Sequence, residues 1–498
     1  MMLTMTKRMS AWFGSASFLF LIFAVVLASV VGGALGLGLL LPAIALVCLA
    51  IYLPMALRYV NSELPTAVFF WLFTILLVGL PFFRKFTGID FFFLIELSVL
   101  AVVPIAMFRF LDVWRHAQGW KAFCVALVIF VLFSIIGSWF GRSGGVPAAY
   151  QLLTNLKMFF MILVGYAIYL DERNSRYFWR LVEWFWLPNA MLVIWQWVDF
   201  SSYLSFFSGS TTGGPDPLGL LPSRGMGVFH HPTILGAAMG FFFVCASARF
   251  MLERPKNYLP LAVSYLLLLL ASGQRQETLA VLLVVLAMSG LVNGWGRLLK
   301  LGAVLSIGTV TLLVVIWPEI ESQVMRELDF WGANQYKRIE QPRQILYLTS
   351  VEIANRYFPF GSGLGTFGGA GSVKFDMSFY RDLGFASFSW FSQREFLMDT
   401  YWPNFIAESG WIGFSLMLLS VLLIVRLAWL GVIESRTLDA RVFALIAFGG
   451  VLFVLLLSPT SPAFQDPSLF LLPALFLGIA YNADAYGVER RLKGESDM

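Results

Sequence analysis

Stretches of about 20 uncharged, apolar residues recur along this chain, and a stretch of that length is what a helix needs to cross a bilayer. Short charged turns separate them. The chain is 59% hydrophobic and only 13% charged, about half the charge of a soluble domain. Such stretches must face lipid. No water reaches the backbone there, so only helices and closed barrels satisfy their own hydrogen bonds. The runs are continuous rather than alternating, which excludes a barrel. An all-α, polytopic integral membrane protein is expected.

At about 20 residues each, roughly 14 spans are expected. They fall near 12–31, 36–57, 65–83, 90–108, 121–140, 151–170, 179–197, 232–251, 258–272, 278–295, 299–317, 402–429, 441–459 and 467–483. The first, Trp12 to Val31, follows Lys7 and Arg8. It exceeds the apolar core of a cleavable signal and reads as a retained span. Cys48, Cys124 and Cys245 all lie in apolar runs, so neither a disulfide framework nor a metal cluster is expected.

Orientation follows from Lys and Arg. With the N-terminus cytoplasmic, 20 of the 34 basic residues fall inside and 6 on short outer segments, the rest lying in one long loop. An even number of spans returns the C-terminus, with Arg490, Arg491 and Lys493, to the cytoplasm. The net charge of +5 is then mostly a sorting signal, and no nucleic-acid partner is expected. The chain divides into N-terminal spans over 1–317, a large extracytoplasmic loop over 318–401, and C-terminal spans with a short tail over 402–498. No matched pair of Gly/Pro-broken spans marks a transporter repeat.

A membrane protein that interrupts its spans once with a large loop is expected to work there. The loop carries Arg338, Arg343, Arg356, Lys374, Arg381 and Arg394, with a helical pattern from Ile345 to Tyr357. Gly361-Ser-Gly-Leu-Gly-Thr-Phe-Gly-Gly-Ala-Gly371 follows. It lacks the Lys-Ser/Thr of a nucleotide-binding loop and no strand precedes it. It reads either as a tight turn against a substrate cleft or as a flexible loop.

Basic residues on the short outer segments stand out. Arg275, in Ala-Ser-Gly-Gln-Arg-Gln-Glu-Thr (271–278), sits near the hydrocarbon edge, where a charge requires a partner. It reads as an anion-binding group flanked by Gln274 and Gln276, or as an ion pair with Glu277 or a snorkelling anchor. Arg224 lies among glycines that permit close backbone approach, in Ser-Arg-Gly-Met-Gly-Val-Phe-His-His-Pro. His230 and His231 have no third ligand at suitable spacing, so interfacial hydrogen bonding or substrate contact is preferred to metal binding.

Three elements together resemble the O-antigen polymerase and ligase superfamily of bacterial envelope membrane proteins. They are the Arg224-Gly-x-Gly rim segment, the outer-turn Arg275, and the long loop. Within that loop the order is a basic helix, then Gly361-Ser-Gly-Leu-Gly-Thr-Phe367, then Asp399-Thr-Tyr-Trp402 with Glu408-Ser-Gly410-Trp-Ile-Gly413. The resemblance covers about 220 to 415. Ligases of the superfamily place a histidine where this chain has Asp399, and the long loop has no histidine; this favours a polymerase. Thr400 and Trp402 replace the family's usual Asn and Tyr.

The resemblance implies a fold like that of lipid-carrier-dependent glycosyltransferases (the GT-C-like class). It implies transfer of a growing glycan from undecaprenyl pyrophosphate to the next lipid-linked repeat unit, on the outer face of a bacterial inner membrane. The product would be O-antigen, capsule or exopolysaccharide. Charge grows on the leaving pyrophosphate, and paired guanidinium bonds stabilise it. Arg224, Arg275, Arg338 and Arg343 are the candidates. Asp399 is the expected base for the acceptor hydroxyl, with Glu408 second; Glu408 reads equally as an anchor for the re-entering helix, paired with an arginine. His230, His231, Gln276 and Tyr401 are candidate substrate contacts, and Tyr401 belongs to an aromatic set with Phe379, Tyr380, Phe388, Trp390, Phe391 and Trp402. Since arginines neutralise the pyrophosphate, neither metal nor cofactor is expected. Expected partners are the lipid-linked oligosaccharide, the bilayer, a chain-length regulator and a flippase. The rival readings are a ligase acting on lipid A-core, a transporter of lipid-linked glycans, and a non-catalytic scaffold.

Overall fold

The computed structural model describes residues 84–85, 118–168, 170, 172–207, 222–294, 296, 341–392, 394 and 396–492. All regular structure among them is helical. In chain order the helices are α1 (Gln118–Phe140), α2 (Gly145–Ala167), α3 (Glu172–Trp184), α4 (Trp186–Val198), α5 (Phe200–Phe206), α6 (Pro232–Glu253) and α7 (Tyr258–Ala271). They continue with α8 (Arg275–Asn293), α9 (Pro342–Arg356), α10 (Ala370–Phe375), α11 (Ser378–Asp382), α12 (Trp402–Glu434), α13 (Leu438–Leu457) and α14 (Pro467–Leu492).

Six of these helices, α1, α2, α6, α8, α12 and α13, are long and apolar enough to cross a membrane. Two shorter apolar helices accompany them, α7 and the Pro467–Ala483 part of α14. The protein is a multi-pass membrane protein. The expected spans near 12–31, 36–57, 65–83, 90–108 and 299–317 lie outside the described residues.

The expected single span over 179–197 is two 13-residue helices, α3 and α4. Pro188 explains the break. It has no N–H for the Trp184 carbonyl one turn back, and its ring crowds that carbonyl. The Asn189 side-chain amide donates to the Phe185 carbonyl at 2.8 Å.

Small residues set the packing. A side chain on Gly165 of α2 would place its Cβ 2.1 Å from the Leu475 carbonyl oxygen of α14, and one on Gly478 would meet the Ile162 oxygen at the same distance. The two backbones therefore lie in direct contact, the usual means by which helices associate where lipid removes the hydrophobic drive. Phe241 and Phe242 of α6, Phe443 of α13 and Phe476 of α14 fill the centre of one continuous core.

The segment from 341 to 401 has a core of its own. Ile345, Leu346, Ile353, Phe367, Phe379, Tyr380, Phe385, Phe391 and Leu397 pack together with Ala407 of α12. Tyr347 donates to the Pro459 carbonyl at 2.9 Å, and Tyr401 N–H to the Ser458 carbonyl at 3.3 Å. The segment is thereby seated on the bundle end where α12 starts and α13 finishes.

Candidate functional site

Glycines dominate the centre of that segment, and their backbone meets a kink in α12. Gly410 interrupts the helix at φ 62° and ψ −174°. An unbroken helix would direct the N–H groups of Trp411 and Ile412 at the carbonyls of Ala407 and Glu408. Those carbonyls instead accept from Ser362 at 2.9 Å and from Gly363 at 3.0 Å. A Cβ on Gly361 would lie 2.4 Å from the Gly410 nitrogen, so the two strands of backbone touch and admit no side chain.

Glu408 completes this junction. It is fully buried, and its Oε1 accepts the N–H of Phe367 at 3.0 Å. The loop is a tight turn, and the hydrogen-bond partner of Glu408 is this backbone amide and not an arginine. The same loop is pinned to α1, where Arg142 N–H donates to the Ser362 carbonyl at 2.8 Å and Leu364 N–H to Ser138 at 3.0 Å. On its other side Gly371 N–H donates to Gln151 of α2 at 2.8 Å.

Tyr401 also belongs to the framework. It is fully buried, its ring 4.7 Å from Phe405 and 5.2 Å from Phe464. A sugar-stacking face must be reachable, so the expected substrate contact at Tyr401 is corrected to a packing role. Phe379, Tyr380 and Phe391 are buried in the segment's core as well. Phe388 and Trp390 stack on each other at 5.3 Å and are half-exposed.

The arginines assemble elsewhere on the same end of the bundle. Arg224 lies in the turn before α6, and Gln196 of α4 holds that turn by donating to the Arg224 carbonyl at 2.8 Å and accepting from Met226 N–H at 3.0 Å. The next turn along, between α7 and α8, is tied to it by Gly225 N–H and the Ala271 carbonyl at 2.8 Å. Arg224 Nε donates to the Ser272 carbonyl at 3.4 Å. A Cβ on Gly273 would approach Arg224 Cγ to 3.0 Å, and Gly273 has φ 65°, so the guanidinium rests on a bare backbone that only glycine provides.

Gln274 links this guanidinium to α8. In the amide orientation that satisfies its neighbours, its oxygen accepts from Arg224 Nη2 and from Thr233, and its nitrogen donates to Glu277 Oε2 at 3.2 Å. Glu277 is buried at 6% exposure, beside the pair formed by Arg224 and Gln274. Arg343, on the first turn of α9, pairs with Asp399 at 3.3 Å; the two side chains are 34% and 37% exposed. A pair so open to water contributes about 0–1 kcal/mol. A ligand carrying more charge would displace it readily.

Arg275 opens α8 with an exposed side chain, and Gln276 beside it is half-buried. Arg338 lies outside the described residues. His231 caps α6, its Nδ1 accepting from Thr233 N–H at 3.2 Å. Burial, and then the charges of Arg224 and Arg84, push its pKa below the usual 6.5. The imidazole is thus held neutral as an acceptor beside the cations. His230 is half-buried on the same turn. Lys85 is buried and donates to Tyr203 and to the Gly227 carbonyl, clamping the far side of the Arg224 turn.

The arrangement brings Arg224, Arg343, His231, Asp399 and Glu277 to one end of the bundle. The sequence offers Glu277 only as a partner for Arg275, because nothing short-range ties it to residue 224. Among the described residues, no group of three or more His, Cys, Asp or Glu side chains is placed to hold a metal. Comparison of the chain with protein-family models and with curated proteins finds no match.

Proposed function

We propose that this protein is a polysaccharide polymerase of the O-antigen polymerase class. It transfers a growing glycan from undecaprenyl pyrophosphate to the terminal hydroxyl of the next lipid-linked repeat unit, on the outer face of the bacterial inner membrane. One observation carries the reading: Arg224, tied through Gln274 to the buried Glu277, and Arg343, paired with the partly exposed Asp399, come from separate parts of the chain to one end of a membrane-spanning bundle. A lipid-linked pyrophosphate presents its charge at the membrane rim.

In this mechanism the guanidiniums of Arg224, Arg343 and Arg275 receive the pyrophosphate through paired N–H bonds. They stabilise the charge that builds as the bond from the anomeric carbon to the phosphate oxygen breaks. The acceptor hydroxyl attacks that carbon and loses its proton to Asp399. Asp399 rests on Arg343 until the pyrophosphate takes its place, so donor binding releases the base at the moment it is needed. His231, held neutral, adds no competing charge.

Reconstitution with a purified undecaprenyl-pyrophosphate repeat unit tests the reading by chain length on a gel. Glycan lengthening is expected for the native protein. Arg224→Lys and Arg275→Lys should lose it by 100-fold or more at unchanged protein level, since lysine keeps the charge but cannot form the paired bonds; losses of about 10²–10³ are typical of a removed transition-state donor. Full activity in Asp399→Asn removes that residue as the base. Lipid movement across the bilayer without any lengthening replaces the proposal with a transporter.

A further inference from the structure

The rim segment that carries Arg224, residues 223–229, has no helix of its own and lies along one face of α4. Asn189, Val193, Gln196 and Trp197 make that face, at a spacing that puts all four on one side of a helix. The Trp197 indole N–H donates to the Ser223 carbonyl at 2.8 Å. Gln196 donates to the Arg224 carbonyl at 2.8 Å and to Ser223 Oγ at 3.1 Å, and accepts from Met226 N–H at 3.0 Å. Val193 lies beneath Gly225, where a Cβ would approach Val193 Cγ2 to 3.1 Å. Asn189 accepts from Val228 N–H at 3.1 Å.

Gln196 is fully buried and bonds to Arg224 itself. Its amide serves the peptide groups on both sides of Gly225, as donor to one and acceptor from the other, so its partners fix which way it points. Between them, Gly225 N–H donates to the Ala271 carbonyl at 2.8 Å. Backbone held at these points sets the direction in which the Arg224 side chain departs. From there the guanidinium crosses Gly273 to the Ser272 carbonyl and Gln274. A neutral amide does this work without adding a charge of either sign beside the guanidinium.

We infer that Gln196 is a positioning residue: it fixes the backbone of the Arg224 segment against α4 and so aims the guanidinium at a pyrophosphate ligand. The inference rests on the pyrophosphate reading of Arg224. It has a signature that general support of the fold lacks. A residue that acts through Arg224 has nothing left to act on once that guanidinium is gone.

The experiment uses the full chain in lipid nanodiscs, with inorganic pyrophosphate as the binding probe and glycan lengthening as the activity. Gln196→Met keeps the side-chain length and removes all three of its hydrogen bonds. Pyrophosphate affinity is expected to fall about tenfold, the low end of the 10–100-fold range for groups that orient a ligand-holding side chain. Lengthening should fall at least as far, since a misplacement of about 1 Å can cost about 100-fold in rate. In an Arg224→Ala background, read at millimolar pyrophosphate, Gln196→Met is expected to change nothing further. A second loss of the same size there marks general loosening and overturns the inference. Native affinity in Gln196→Met also overturns it and leaves the pyrophosphate reading standing. Absence of pyrophosphate binding to the native protein overturns both. If Gln196→Met yields no folded protein, Gln196→Glu is read instead, because it keeps the acceptor for Met226 N–H and loses the donor to the Arg224 carbonyl; native affinity in that variant overturns the inference.

Discussion

His231 shows how one side chain joins fold to site. Its ring nitrogen caps α6, and that bond requires an unprotonated Nδ1. Burial and the adjacent arginines lower its pKa from 6.5, so the folded state takes up a proton at lower pH than the unfolded chain does. The sign follows by linkage. Stability is complete above about pH 6.5 and declines as pH falls through and below that value. Thermal unfolding of the purified protein between pH 5 and 8 is expected to show this slope, and His231→Asn to flatten it. Asparagine caps equally well and does not titrate. An unchanged slope in the variant would assign the pH dependence to another group.

At the scale of elements, the controlling feature is the junction between the glycine loop and α12. The kink at Gly410 frees two carbonyls, the loop supplies the two N–H groups they accept, and Glu408 collects one more, from Phe367. Glu408→Ala strands that donor in a buried place, at about 1–3 kcal/mol. The variant is expected to lose most of its folded yield, read by size-exclusion chromatography in detergent, whereas Glu408→Gln, which keeps an acceptor, should retain more. Equal behaviour of the two would deny the anchoring role.

Much of this scale was legible in the sequence. The apolar stretches foretold α1, α6, α8, α12 and α13, and the glycine density marked the loop while leaving open whether it was a tight turn or flexible. Pro188 carried the signal that splits α3 from α4, but the apolar run continues on both sides of it and hides the break. What could not be read is which way a side chain faces when pairing is long-range. Tyr401 stands at a helix start, where an aromatic looks alike whether it meets sugar or core. Glu277 sits two residues from Arg275 in sequence, yet through Gln274 it is tied to Arg224.

At the scale of the whole molecule, α4, α6, α7, α8, α9 and α12 converge at one end of the bundle. Tight glycine contacts such as Gly165 and Gly478 fix the helices further inside. A rigid bundle allows Arg224 and Arg343 to be placed with the precision that charge stabilisation needs. In the proposed mechanism these two arginines grip one pyrophosphate together. A double-mutant cycle on glycan lengthening in proteoliposomes measures it most directly, with Arg224→Lys, Arg343→Lys and the double variant. Groups that share one ligand couple by about 0.5–3 kcal/mol. The account predicts that the double variant loses far less than the product of the two single losses. Strict multiplication of the two effects, or full activity in either single variant, would contradict it.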